Sequence, residues 1–90
     1  MHEHSNHWNF RQASAEVLLA KLEAANTLLD AAEAGAEEET ASCNRQSARS
    51  IYDMVFGFLL MLPLNTRDRQ QIEERLDLLK ARLLRLGYKI

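Results

Sequence analysis

Cysteine is almost missing from this chain. Among 90 residues only Cys43 occurs, so no disulfide can close within it, and a disulfide-stapled fold is excluded. Proline occurs once and glycine three times, at Pro63, Gly35, Gly57 and Gly87, which rules out collagen-like and Gly/Pro-rich low-complexity architectures. No long apolar run is present: the longest, Met54 to Leu64, is interrupted by Pro63 and falls far short of the roughly 20 residues needed to cross a bilayer. The opening residues are polar and His-rich, not basic and then apolar as a secretory leader requires. With a lone thiol, this leads to the expectation of a reducing, cytoplasmic setting. Also missing are a Gly-rich phosphate loop, zinc-finger spacing and an H-E-x-x-H sequence.

What is abundant is alanine and leucine, in a chain that is 47% hydrophobic and 27% charged. That composition favours helices over strands or disorder. A chain of this length makes one domain and buries only about 60% of the surface its unfolded form exposes, so its stability margin is thin. Net charge is −2 but unevenly placed. Residues 1–64 hold four basic and nine acidic side chains, whereas residues 65–90 hold seven basic and four acidic. The C-terminal segment is therefore the positive end.

Three helices follow from periodicity and stop signals, at about 10–34, 37–62 and 66–86. The first starts after Asn9 as N-cap, with Gln12 three residues on, and Gly35 ends it. Its stripe is Ala15, Leu18, Leu22, Ala25, Leu29 and Ala32, at steps of three and four. Glu37, Glu38 and Glu39 oppose the partial positive charge at the start of the second helix. Its expected core positions are Ala48, Ile51, Tyr52, Val55, Phe58, Leu59 and Leu62, and Pro63 stops it by driving Leu62 out of helical geometry. Asn65 caps the third helix, with Asp68 in its first turn. Ile72, Leu76, Leu79, Leu83 and Leu86 form a heptad seam closed by Gly87. Matched lengths and short loops predict an all-α, antiparallel three-helix bundle (up-down-up) spanning residues 10–88, preceded by a flexible His-rich segment, residues 1–9.

The second helix has more apolar surface than this packing needs. Phe56, Gly57 and Leu60 fall opposite its core stripe, beside Arg49 and Asp53, with Met54 and Met61 on the shoulder. Left in water, Phe56 and Leu60 would each forgo about 1.5–3 kcal/mol. A mid-helix glycine costs about 1 kcal/mol against alanine and is easier to understand where another backbone comes close. A homo-oligomer or a partner helical protein covering Phe56, Gly57, Leu60, Met61 and Met54 is one expectation. Bending of the helices, drawing Phe56 and Leu60 into a wider single-chain core, is the other.

Catalytic and metal chemistry have little to build on. His2, His4 and His7 form an H-x-H-x-x-H cluster with only Glu3 beside it, and read as a terminal segment, not a metal site. Nothing places a histidine near Cys43, as a nucleophile and base would require. Glu73 and Glu74 are neighbours in a helix and point to different faces. No cofactor, no small-molecule substrate and no enzymatic activity are expected. The alternative function is a nucleic-acid-binding regulator using Arg67, Arg69, Arg75, Lys80, Arg82, Arg85 and Lys89. Their phases are scattered, with Arg82 and Arg85 expected to project outward, and acidic residues are interleaved.

The sequence-level conclusion is a non-enzymatic helical protein–protein interaction module. Its layout resembles the helical hairpins of tetratricopeptide repeats and the three-helix microtubule-interacting-and-transport modules, which also place an alanine four residues before an aromatic, as in Ala48 and Tyr52. The resemblance implies a short helical unit that recognises another helix. The repeat family's Gly-x-x-Tyr element is absent from the first helix, and no residue of either family is carried over.

Overall fold

A computed structural model describes the backbone of residues 2–90 and the side chains of residues 15–90. Three helices follow one another: α1 (His2–Glu33), α2 (Glu38–Met61) and α3 (Thr66–Arg85), with no strand among the described residues. At 1.5 Å per residue the 32-residue α1 is about 48 Å long. That equals the longest dimension of the molecule, 48 Å. The radius of gyration is 14.9 Å, above the roughly 12 Å of a typical globule of this length. One long helix therefore sets the shape.

The stop signals act as their chemistry demands. Gly35 follows α1 with φ +101° and Gly87 follows α3 with φ +97°, backbone angles that only glycine adopts without strain. At the end of α3 the Gly87 N–H donates to the Leu84 carbonyl and the Tyr88 N–H to that of Leu83, the paired bonds of a Schellman motif. Tyr88 then packs against the core. Leu62, placed before Pro63, is extended at φ −84°, ψ 140°. Asn65 Oδ1 accepts the Asp68 N–H at 2.7 Å, satisfying an amide that the helix leaves open. Glu38 and Glu39 occupy the first turn of α2, where Glu37 makes no side-chain cap.

The starts and ends of α2 and α3 fall within a residue of the sequence expectation; α1 does not. It begins at His2, so Asn9 and Gln12 lie within the helix, where Asn9 was expected to cap it. The side chains of Asn9, Gln12 and the three histidines lie outside the described residues.

One apolar core joins all three helices. Ala15, Leu18, Leu22, Ala25 and Leu29 come from α1, Ala48, Tyr52, Val55 and Leu59 from α2, and Ile72, Leu76, Leu79 and Leu83 from α3. Alanines at Ala15, Ala25 and Ala48 let α1 and α2 approach closely, and these two helices make the most extensive of the three pairings. Apart from Tyr52 with its phenol, every buried side chain among the described residues is a hydrocarbon. Leu22, Leu29, Ile72, Leu79 and Leu83 are almost fully enclosed, and each contributes about 1.5–3 kcal/mol through burial. Of the expected core positions, Phe58 and Leu86 are exposed and Ala32, Ile51 and Leu62 are half-buried, the last two packed against the core. Phe58 sits at the edge of the α2 stripe, and Leu86 is already the C-cap of α3, where the helix turns away. No described helix is long and apolar enough to cross a membrane.

Candidate functional site

The surface of α2 between Met54 and Met61 is the candidate, because five large apolar side chains lie exposed within eight residues. Met54 is 37% exposed, Phe56 46%, Phe58 42%, Leu60 69% and Met61 77%. Phe56 and Leu60 were not drawn into a wider core, and the bent-helix alternative is not realised in this chain. Gly57 is half-buried, and a Cβ built there would meet no atom within 4 Å. Nothing among the described residues needs a glycine at that place.

These residues do not share one face. At 100° per residue, Phe56 and Leu60 lie roughly 100–140° to one side of Val55, while Met54, Phe58 and Met61 lie roughly 60–120° to the other. Contacts identify the two flanks. Tyr52 shares the side of Phe56 and is close enough to Asp77 of α3 to feel its charge, while Arg49 Nη1 on the same side donates to the Lys89 carbonyl at 3.0 Å. Phe56 and Leu60 therefore border α3, and the Met54–Phe58–Met61 group borders α1. Phe58, expected in the core, is instead the aromatic centre of the exposed α1-side group.

The α3-side flank is mixed in character. The Tyr52 and Phe56 rings stack with centroids 6.2 Å apart and planes 7° from parallel. One turn away, Arg49 pairs with Asp53 at 3.2 Å across the exposed helix surface. Burial, followed by the charges of Asp77 and then Asp53, raises the Tyr52 pKa above the ordinary tyrosine value, with Arg49 opposing. The phenol is held neutral beside the two carboxylates.

The basic groups of α3 are partly committed to the chain itself. Arg82 crosses to α1, where its Nη1 donates to Asn26 Oδ1 at 3.0 Å and its Nη2 to Asp30 Oδ1 at 2.6 Å and Glu33 Oε1 at 3.0 Å. Its side chain is only 17% exposed, which corrects the expectation that it projects outward. The hydrogen bond to Asp30, opposed by partial burial and helped by Glu33, raises the guanidinium pKa above its ordinary value. Arg69 Nη2 donates to the Leu62 carbonyl at 3.3 Å. Sequence periodicity placed Arg82 sideways and outward on α3 and carried no information on which helix would face it.

Other chemistry is sparse among the described residues. No group of three or more His, Cys, Asp or Glu side chains converges on a metal-sized space, and Cys43 is exposed. The His2, His4 and His7 side chains lie outside those residues. An open depression of about 250 Å³ on α3 is lined by Arg67, Gln70, Gln71 and Glu74. It is open to solvent, and its four lining residues are all polar or charged. Compared with models of protein families, with curated proteins and with solved structures, the chain finds no match. The resemblance to repeat hairpins and three-helix modules gains no support from them.

Proposed function

We propose that this protein is a non-enzymatic interaction module: an antiparallel, up-down-up three-helix bundle that self-associates or binds a partner helix through α2 between Met54 and Met61. Five large apolar side chains left in water within eight residues support the reading. A helix that is apolar around most of its circumference belongs inside a larger core, and two neighbours in one chain cover only the Val55 side. Covering the remainder would contribute about 1 kcal/mol for each half-exposed Phe or Met. The bundle direction is supported by the Arg82 clasp, which joins the last turns of α3 and α1, and by short links at residues 34–37 and 62–65 that reverse the chain.

The test is a variant with Met54, Phe56, Leu60 and Met61 all changed to Gln. Far-UV circular dichroism should remain helical, because these side chains hold no core position. Association, read as solution mass and as binding of a synthetic amphipathic Leu/Lys-heptad peptide, should be present in the wild type and lost in the variant. A variant that keeps the wild-type mass and the wild-type peptide affinity would remove the proposal.

A further inference from the structure

The geometry points to a second copy of this chain packed over the paired α1–α2 surface, centred on Val17, Met54, Phe58 and Met61. The inference rests on the reading of α2 as a docking surface and adds the occupant and the flank. Arg82 fixes the Asn26–Asp30–Glu33 side of α1 toward α3, so Val17, Lys21 and Ala24 fall on the other side, next to α2. Facing them across the same seam is the α1-side flank of α2. From Thr40 through Ser47, Ser50 and Met54 to Met61, that flank carries no charged residue.

The charge pattern selects a copy over another partner. The acidic residues of α1 from Glu16 onward, namely Glu16, Glu23, Asp30 and Glu33, all lie on its α3 side. Among the described residues Lys21 is the one charge within the α1–α2 surface, and its long stem can carry the ammonium to the rim. A two-fold interface sets each patch against itself, so charged patches tend to meet their own sign, and a surface whose charge is confined to a rim lysine meets its copy with little repulsion.

The extent also suits a dimer. From Thr40 to Met61 the flank is about 33 Å long, and two helices side by side are about 20 Å wide, giving a surface on the order of 650 Å² before side-chain relief is counted. A stable interface takes about 800 Å² from each partner. Val17, Met54, Phe58 and Met61 supply the apolar centre, each with roughly 100 Å² in water. The exposed Ala24, Ser47 and Ser50 are small enough for another helix to lie close.

Sedimentation equilibrium from low to high micromolar concentration tests this. The mass should rise from 10.3 kDa toward twice that value. Phe58→Glu and Ser50→Glu should weaken dimerisation at least tenfold while circular dichroism stays helical, and Leu78→Glu, exposed on α3 and outside the proposed surface, should dimerise like the wild type. Ser50 is exposed and outside the core, so its substitution keeps the test independent of folding. Dimerisation lost through Leu60→Glu but retained in Phe58→Glu and Ser50→Glu would overturn the flank while leaving α2 as a docking surface. A wild type fixed at 10.3 kDa that binds the Leu/Lys-heptad peptide overturns the second copy alone. One fixed at that mass that also ignores the peptide overturns both readings.

Discussion

Replacing Gly57 with alanine should make the isolated chain more stable, and the sign of that effect is the sharpest consequence of the α2 geometry. Glycine in mid-helix is about 0.5–1 kcal/mol less favourable than alanine, because it loses more backbone freedom on folding. Usually such a gain is forfeited when the new methyl strikes a neighbour. Here no atom lies within 4 Å of the Cβ position, so the full gain should appear. For a chain of this size, with a urea m-value near 1 kcal/mol/M, the unfolding midpoint should rise by about 0.5–1 M with the slope unchanged. The melting temperature should rise by about 2–8 °C. The measurement belongs at a concentration where sedimentation gives the monomer mass. A midpoint unchanged or lowered there would mean that α2 is not a regular, unobstructed helix at Gly57, and the description of its surface would be wrong. Repeated under associating conditions, the same substitution shows whether another backbone lies against this glycine, since the methyl would then weaken association.

Other outcomes follow from the fold. Asn65→Ala removes the acceptor for the Asp68 N–H and should cost about 1 kcal/mol in urea unfolding, with Asn65→Asp retaining most of it. Leu79→Ala, at a fully enclosed position, should cost about 2–5 kcal/mol, enough to unfold much of so small a domain at room temperature by circular dichroism. Arg82→Met should cost on the order of 1 kcal/mol, and less in high salt, because Asp30 and Glu33 are more than half exposed. A double-mutant cycle with Asp30→Asn should give a positive coupling energy, and zero coupling would deny that the ion pair holds α3 to α1. Tyr52 has its pKa raised in the folded state, so the fold favours the neutral phenol. Its contribution is present below about pH 10 and is lost as pH rises through the folded value. Wild type and Tyr52→Phe should therefore diverge in alkaline unfolding, with the wild type falling more steeply.

Much of the fold was legible because its signals are local. Asn65, Pro63, Gly35 and Gly87 act on the backbone within a few residues, and each stands where a helix starts or stops. The α1 stripe from Ala15 to Leu29 and the α3 seam from Ile72 to Leu83 were legible for a related reason: a helix has one period, and one face of it must be dry. Phe58 shows where that logic ends. Periodicity locates the centre of an apolar arc, Val55, but the width of the arc that becomes buried depends on where two neighbours lie. For the same reason Phe56, Leu60, Met54 and Met61, grouped by one helical projection, separate into two flanks once α1 and α3 are in place. Arg82 was the larger omission, since its three partners stand 49 to 56 residues earlier in the chain.

That long span has a consequence for how the chain acquires its shape during synthesis. Residues of α1 and α2 emerge first and can zip into a hairpin through contacts close in sequence, the fast kind. The guanidinium that ties Asn26, Asp30 and Glu33 to α3 arrives only after both α1 and α2 have been made. Until then the nascent hairpin holds Leu22, Leu29 and Val55 uncovered on the side α3 will occupy, a greasy intermediate whose lifetime ends with the docking of the twenty residues of α3.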